Sequence, residues 1–303
     1  MDNPLASICC ITYNHEPYIR QCIDGLLMQK TTFPFEILIH DDASTDNTAN
    51  IIREYEAKYP DIIKPIYQTE NQYSKGIKIS ITYNFPRVKG KYIAICEGDD
   101  SWIDNLKLQK QIDFLENNIE YGLVHTNFRI NNIPKKVTFI NNIKLSSGDS
   151  FDHYLLGKFH IASLTVCFRS IYLETIDYSY INENFSIGDY PIWVQIFHKS
   201  KIKFLPDVTA NYNILDESAS HSKDVKKQIK YQIDIRDVRL FFAYKFNKSY
   251  LINHIECEQY YYYSLLFYMQ KKYIKSFLYL VKSRNPIKFF NWCTFIMSKI
   301  KQS

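Results

Sequence analysis

Three carboxylates stand at the end of a ten-residue segment, K-Y-I-A-I-C-E-G-D-D. They are Glu97, Asp99 and Asp100. The apolar run before them predicts a buried strand, so these side chains lie at a strand tip. Hard divalent cations prefer carboxylate oxygens, and Gly98 would let a phosphate approach the backbone. The pattern predicts a Mg²⁺ or Mn²⁺ site that also contacts a phosphate-bearing ligand.

Strands, polar turns and helices alternate over the first 120 residues. The predicted strands are Leu5–Ile11, Phe35–His40, Ile62–Gln68 and Lys91–Cys96, and the predicted helices run from Pro17 to Leu27, from Thr48 to Tyr59 and from Leu106 to Asn117. The helices are indicated by apolar residues spaced three and four apart. This alternation predicts a parallel α/β sheet.

Three polar turns follow strands of that sheet, namely Thr12–Glu16, Asp41–Asp46 and Glu97–Asp100. Ligands of open α/β sheets sit at the carboxyl ends of parallel strands, so the turns are expected to converge on one site. Taken alone, Asp41-Asp42 is equally compatible with a helix cap. The chain has neither G-x-G-x-x-G after the first strand nor G-x-x-x-x-G-K-[ST], which argues against Rossmann dinucleotide binding and a P-loop. A nucleoside diphosphate held through a metal fits best.

The second half of the chain has a different composition. Strands are predicted at Gly122–Ile130, Ser163–Arg169 and Ile202–Leu205, a helix at Tyr190–Lys199, a polar loop at Asp216–Ser222, and helices after Lys223. Residues 1–221 carry 21 Lys and Arg against 27 Asp and Glu, whereas residues 222–303 carry 16 against 5. We therefore predict a catalytic domain at 1–221, with halves at 1–120 and 121–221, and a basic, aromatic-rich helical region at 222–303.

Cysteine usage and hydropathy indicate the compartment. The seven cysteines form no C-x-x-C pair, so a zinc site or disulfide framework is not expected. No basic-then-apolar leader begins the sequence, and no run reaches the roughly 18 apolar residues of a membrane span. These features predict a cytoplasmic protein.

The motifs together resemble glycosyltransferase family 2, which has the GT-A fold. The resemblance rests on I-T-Y-N-H-E (Ile11–Glu16), H-D-D-A-S-T-D-N-T (His40–Thr48) and G-K-Y-I-A-I-C-E-G-D-D-S-W (Gly90–Trp102), and it covers roughly residues 4–220. It implies an α/β fold with a Rossmann-like, mostly parallel sheet flanked by helices, followed here by a helical C-terminal extension.

The resemblance also implies roles for individual residues. Thr12, Tyr13, Asn14 and Glu16 would line the nucleotide pocket, Asp41 would hydrogen-bond the base with Asp42 nearby, Glu97, Gly98 and Asp99 would form the D-x-D region, and Asp99 and Asp100 would hold Mn²⁺ or Mg²⁺. Glu97 occupies a position where the family more often has aspartate. His221 resembles a position at which some members add a metal ligand, although a histidine in a polar loop is also typical of plain exposure.

An inverting transfer needs a base that deprotonates the acceptor hydroxyl. The segment Ser186–Trp193 resembles the family's aspartate-containing helix start, which makes Asp189 the predicted base. The same carboxylate could simply cap the helix, and the two roles are compatible. Trp193 is more typical of a core residue, and Trp102 is compatible with either sugar stacking or packing.

The expected activity is transfer of a hexosyl or N-acetylhexosaminyl group. The donor would be a nucleotide sugar, most simply a UDP-sugar, and the acceptor a hydroxyl of a glycan or glycolipid in bacterial surface polysaccharide or lipooligosaccharide synthesis. A nucleotidyltransferase is an alternative, but it would need an early Gly-rich triphosphate loop where the chain has I-T-Y-N-H-E. A non-catalytic nucleotide-sugar or membrane-binding module is the other alternative, and the intact carboxylates argue against it.

The basic C-terminal region mixes Lys and Arg with Tyr and Phe, as in Tyr260–Lys282 and Lys288–Lys301. Basic amphipathic helices of this kind suit an anionic membrane, here the cytoplasmic face of the inner membrane. They are also compatible with packing on the catalytic domain or with a homo-oligomer. Nucleic acid is not an expected partner, because the catalytic half is acidic and carries no recognition motif.

Overall fold

The structure is a computed structural model. It describes residues 3–142, 150–183, 185, 187–215, 224–284 and 289–294. The chain divides into two compact units. The first comprises Met1–Asp149, Phe159–Asp177 and Ile192–Leu215, and the second comprises Ser150–Lys158, Tyr178–Pro191 and Asp216–Ser303.

One sheet organises the first unit. Its described strands are β1 (Ala6–Thr12), β2 (Phe35–Asp41), β3 (Ile63–Tyr67), β4 (Tyr92–Ile95), β5 (Ser101–Trp102), β6 (Tyr121–Asn132), β7 (Val137–Ile140), β8 (Cys167–Arg169) and β9 (Lys201–Ile214). Their order is β3-β2-β1-β4-β8-β6-β9-β5, and β7 pairs with β6. Strands β1 to β4 are parallel to one another, as predicted from the alternating pattern.

The described helices are α1 (Ile19–Leu27), α2 (Thr48–Lys58), α3 (Lys107–Asn117), α4 (Phe151–Leu155), α5 (Tyr190–Lys199), α6 (Val225–Lys245), α7 (Ser249–Met269) and α8 (Tyr273–Lys282). Helix α1 shows why the pattern predicted helices, because Ile19, Cys22, Ile23 and Leu26 share one buried face. It begins two residues later than predicted, and Pro17 lies in the turn before it.

The parallel register brings the polar turns to one edge of the sheet. Thr12 pairs with Asp41 at the carboxyl ends of β1 and β2. Two further backbone bonds continue past the strands, from Asp42 N to Thr12 O at 2.9 Å and from Gly98 N to Ile11 O at 2.9 Å. The three turns are therefore fixed side by side by main-chain bonds, which is the predicted convergence.

The second half of the sheet differs from the prediction in length. The strand predicted at Ile202–Leu205 is the 14-residue β9, which pairs along β6 with register irregularities near Thr126 and Asn127. Pro206 and the following polar residues hid this continuation, since the alternation of a half-buried strand is interrupted there. The strand predicted at Ser163–Arg169 is a 3₁₀ turn at Ser163–Thr165 followed by the short β8.

The second unit is built on the long helices α6, α7 and α8, in agreement with the helical pattern after Lys223. Ile229 and Ile233 of α6 pack with Leu265 of α7, surrounded by partly buried tyrosines. The Tyr190 hydroxyl donates to Tyr154 O at 3.2 Å within this unit. Among the described residues, no helix combines the length and the apolarity needed to cross a bilayer.

Candidate active site

The acidic strand tip forms a compact cluster. Ligand atoms of Glu97, Asp99 and Asp100 all lie within 4.8 Å of one another, with Asp100 buried and the other two half-buried. A tight turn holds them, because Asp100 N donates to Glu97 O at 3.0 Å. Three carboxylates this close repel one another unless a cation or protons compensate them.

Asp99 has one buried carboxylate oxygen without a hydrogen-bond partner. Its Oδ1 is buried and has no hydrogen-bond partner, while its Oδ2 lies 3.9 Å from His15 Nε2. Burial lowers the pKa of His15, with Asp99 acting in the opposite direction, so the imidazole is a weak source of positive charge. An unpartnered buried carboxylate oxygen is costly, and a divalent cation would satisfy it. The residues present therefore fit a metal.

Asp100 is held in a different way. Its Oδ1 accepts a hydrogen bond from Asn213 N at 2.8 Å across the sheet. Burial raises the pKa of Asp100 well above its usual range, and the neighbouring Asp99 and Glu97 raise it further. A cation beside the cluster would oppose these effects and favour the ionised carboxylate.

Asn213 is a site residue that the sequence analysis missed. Its side-chain Nδ2 donates to Asp99 O at 2.6 Å, and its own Oδ1 accepts from Asn131 Nδ2 at 3.0 Å. One residue of β9 thus fixes the backbone of Asp99 and the carboxylate of Asp100. No local motif marks it, and only the pairing of β6 with β9 would have pointed to it.

Replacing Asn213 with alanine is expected to weaken binding of Mn²⁺ by about tenfold, because the backbone of Asp99 loses its bond from Nδ2, while the bond from Asn213 N to Asp100 Oδ1 remains. The loss of one hydrogen bond would cost only about 1 kcal/mol of folding stability. Titration of Mn²⁺ with UDP present would measure the first effect and urea unfolding the second. The matched control is Asn211→Ala, also on β9, which removes a bond to Ser101 Oγ of β5. Equal metal affinity in both variants would contradict this positioning role.

Gly98 is required by close packing against the first turn. A Cβ at this position would lie 2.5 Å from Thr12 Oγ1 and 2.6 Å from Thr12 Cβ. Thr12 Oγ1 in turn lies 3.1 Å from His15 Nδ1. Thr12, Gly98 and Asp99 are thereby brought together, as the sequence analysis expected.

The first and second turns are bound to each other through side chains. Asn14 Oδ1 accepts from Thr45 N at 2.7 Å, and Glu16 Oε2 accepts from Asn47 N at 3.1 Å. Asn14 has a positive φ of 53°, the left-handed region that asparagine tolerates. Both predicted pocket residues therefore have a structural partner, and their contact with a nucleotide stays a prediction. Tyr13 lies between them and is exposed.

The predicted acidic pair divides into two different roles. Asp41 is buried, its Oδ1 has no hydrogen-bond partner, and burial raises its pKa. Asp42 uses both oxygens, accepting from Gln72 N at 2.8 Å and Tyr73 N at 3.0 Å. Asp41 is therefore available for a ligand, whereas Asp42 anchors the segment after β3.

Trp102, which follows the acidic tip, is a packing residue. It is buried, and its Nε1 donates to Leu164 O at 2.9 Å. The Lys107 ammonium lies 4.0 Å from the centre of its ring and donates to Gln111 Oε1 at 2.7 Å. Lys107 is completely buried, and burial lowers its pKa to about 8.

Lys107 should make folding stability depend on pH. Its pKa is lower in the folded than in the unfolded chain, so the unfolded state binds more protons between the two values and stability rises with pH. Relative to Lys107→Met, the free energy of unfolding of the wild type is expected to increase by about 2 kcal/mol between pH 7.5 and 9.5. Urea unfolding of both proteins at the two pH values measures this. A constant difference would contradict a buried titrating ammonium.

Asp189 lies in the second unit, directly before α5. It is half-buried, and its Oδ1 accepts from the backbone N of Tyr190, the first residue of α5, at 2.7 Å. His221, the predicted additional metal ligand, lies outside the described residues. Trp193 is buried against Phe168, with ring centres 5.3 Å apart, which is the expected core position.

Comparison with known proteins decides the family. The model of glycosyl transferase family 2 matches residues 7–175, which is more than half of the chain and includes all three polar turns. The chain belongs to glycosyl transferase family 2. This confirms the resemblance seen in the motifs of β1, β2 and β4.

Similar proteins differ in how much of the chain they share. An uncharacterized protein of Mycobacterium bovis is 47% identical over 118 residues, covering 38% of this chain and 32% of the relative. The chain thus spans about a third of the length of that relative. A UDP-Glc:alpha-D-GlcNAc-diphosphoundecaprenol beta-1,3-glucosyltransferase of Escherichia coli, WfgD, is 27% identical over 245 residues, covering 78% of this chain and 86% of the relative.

Solved structures establish the fold of this family 2 member. TarS 1-349 of S. aureus, in complex with UDP-GlcNAc, superposes with a TM-score of 0.57 at 16% identity, over 86% of this chain and 72% of that chain. The mannosyltransferase PcManGT of Pyrobaculum calidifontis, in complex with GDP-Man and Mn²⁺, gives 0.58 at 15% identity, over 99% and 81%. The predicted GT-A fold is confirmed.

Proposed function

We propose that the chain is an inverting glycosyltransferase that moves a sugar from a nucleoside diphosphate donor to a hydroxyl of a glycan or glycolipid. The carboxylate cluster at the tip of β4, with the unpartnered Oδ1 of Asp99, is the main support for this function. Parallel α/β sheets bind ligands at this edge, where Asp41 also presents an unpartnered oxygen.

The donor half of the site is assigned to the first two turns. The unpartnered oxygen of Asp41 would accept a hydrogen bond from a ring N–H of the nucleobase, and uracil offers one at N3. The nucleoside would be surrounded by residues of the first turn, namely Thr12, Tyr13, Asn14 and Glu16. Asp42 would lie nearby and anchor the segment after β3. A uridine nucleotide is supported by the names of two similar proteins, TarS in complex with UDP-GlcNAc and the UDP-glucose enzyme WfgD.

Glu97, Asp99 and Asp100 would hold Mn²⁺ or Mg²⁺, with Gly98 allowing close approach of the diphosphate. His221 is retained as a further candidate ligand. When bound, the metal would neutralise the charge that develops on the leaving diphosphate. The protein's own contribution is to hold the backbone of Asp99 and the carboxylate of Asp100 through Asn213, and to keep Asp99 Oδ1 away from water.

Asp189 is proposed as the general base. Its carboxylate would take the proton of the acceptor hydroxyl while that oxygen attacks the anomeric carbon, and the nucleoside diphosphate would leave from the opposite side. The bond from Tyr190 N to Asp189 Oδ1 supports this role, because it fixes the carboxylate at the beginning of α5.

The acceptor is proposed to be a bacterial surface glycan or its lipid-linked precursor, assembled at the cytoplasmic face of the inner membrane. WfgD, which shares most of its length with this chain, is named for a diphosphoundecaprenol-linked acceptor. In this scheme residues 1–221 form the catalytic domain, and residues 222–303 form the basic helical region.

Turnover of a small donor panel tests the proposal. UDP-glucose, UDP-N-acetylglucosamine and GDP-mannose would each be incubated with Mn²⁺, Mg²⁺ or EDTA, and release of the nucleoside diphosphate measured. We expect release from a UDP-sugar with metal and none with EDTA. Metal-dependent UDP binding without turnover of any UDP-sugar would instead indicate a non-catalytic binding module.

A further inference from the structure

Helix α8 and the residue that follows it bury two serines and one leucine, while four large apolar residues of the helix are exposed. Ser276, Leu280 and Ser283 are 0%, 2% and 1% exposed. Ile274, Phe277, Leu278 and Val281 are 82%, 49%, 55% and 56% exposed. Their spacing of three, four and seven residues places these four side chains on one stripe, about 10 Å long. We call this set the α8 stripe.

Hydrogen bonds of two serine hydroxyls hold the buried face of α8 in place. Ser276 Oγ donates to Ser264 O of α7 at 2.8 Å, and Ser283 Oγ donates to Leu280 O at 2.6 Å. Small residues allow the two helices to approach closely while their hydroxyls remain bonded. Rotating α8 about its axis would not bury the α8 stripe, because its larger side chains would then have to fit in the space that Ser276 and Ser283 occupy. In α1, by contrast, the apolar residues face the core.

Within its own segment of the chain, the α8 stripe is accompanied by charges of one sign. The segment from 271 to 284 contains five basic residues, Lys271, Lys272, Lys275, Lys282 and Arg284, and no Asp or Glu. Lys271 and Lys272 line one surface depression together with Ile274 and Leu278. At 100° per residue, Lys275 and Lys282 lie about 100° around the helix from the centre of the stripe. Both are exposed at the rim of the apolar face.

We propose that the α8 stripe docks on an anionic lipid bilayer. An exposed apolar stripe with lysines at its rim is the arrangement of helices that lie in the plane of a membrane interface. The apolar side chains enter the acyl boundary, and the long lysine side chains reach the anionic headgroups. A second copy of the chain is disfavoured, because residues 271–284 of two copies would bring together ten cationic groups and no Asp or Glu of their own. The proposal rests on α8 alone and stands or falls independently of the donor site.

Vesicle sedimentation of the full chain tests this docking. Wild-type protein is expected to bind vesicles of phosphatidylglycerol and phosphatidylcholine, and to bind phosphatidylcholine vesicles far less. Ile274→Ser with Val281→Ser, and separately Lys271→Gln with Lys272→Gln, should each weaken binding by roughly thirtyfold. All four side chains are exposed, so the variants are expected to fold.

Matched controls distinguish binding through the α8 stripe from non-specific binding by other exposed apolar or charged side chains. Ile119→Ser with Ile171→Ser removes two apolar side chains that are 86% and 55% exposed in the first unit. Lys226→Gln with Lys227→Gln removes two exposed charges at the start of α6. Both control pairs should bind vesicles as the wild type does.

Three results would overturn the proposal. One is equal binding of the wild type to neutral and anionic vesicles, and another is equal loss in test and control pairs. The third is a dimer in sedimentation velocity without lipid that Ile274→Ser with Val281→Ser dissociates, since the stripe would then be a contact between copies. Release of UDP from a soluble donor should be unchanged in every variant.

Discussion

Replacing Asp99 with asparagine is expected to reduce metal-dependent release of UDP by about a hundredfold or more. Asparagine keeps the shape of the side chain but removes the charge that would bind the cation, so the leaving diphosphate loses its compensation. Asp99 is also one of the groups that raise the pKa of Asp100. Removing its charge relieves that repulsion, and the metal-free variant should therefore be as stable as the wild type.

This combination of lost turnover and retained stability distinguishes a ligand-binding role from a structural one. Thermal unfolding in EDTA gives the stability of both proteins, and UDP release in Mn²⁺ gives the activity. Asp61→Asn, at an exposed position before β3, is the control and should leave both unchanged. Turnover within threefold of the wild type in Asp99→Asn would exclude Asp99 as a metal ligand.

Asp189→Asn is expected to lower turnover by about 10²–10⁴-fold while binding of UDP stays intact. An amide cannot take the acceptor proton, yet its oxygen can still accept the bond from Tyr190 N, so α5 keeps its beginning. UDP release and UDP affinity, measured on the same protein, separate the two effects.

The second unit offers a matched control for this variant. Asp224 caps α6 by accepting from Lys226 N at 2.8 Å, and Asp224→Asn makes the same chemical change at another helix beginning. It should leave UDP release unchanged. Equal activity of Asp189→Asn and the wild type would remove Asp189 as the base and leave it only the capping role.

Much of the donor half could be predicted because its signals are local. Each of β1, β2 and β4 is a short apolar run that ends in a polar turn, and α1 to α3 carry apolar residues at helical spacing. Parallel pairing then brings the turn ends together without further information. Helix α5 was predicted with its observed bounds, Tyr190–Lys199, for the same reason.

Other contacts depend on residues that are distant in sequence. Asn213 and Asp100 are 113 positions apart in the sequence, and no local pattern near either residue predicts their hydrogen bond. Strand β5 consists of only Ser101 and Trp102, too short for alternation to appear. Asp42 differs from Asp41 because Gln72 N and Tyr73 N donate to its carboxylate. The sequence shows only two adjacent aspartates, so it could not predict this difference.

We propose that the β4 tip binds a nucleoside diphosphate through a divalent metal. Isothermal titration of UDP into the wild-type protein, once with saturating Mn²⁺ and once with EDTA, measures this dependence. We expect binding to be at least about tenfold tighter with Mn²⁺, and Asp99→Asn to abolish the difference. Equal UDP affinity with Mn²⁺ and with EDTA would contradict the claim.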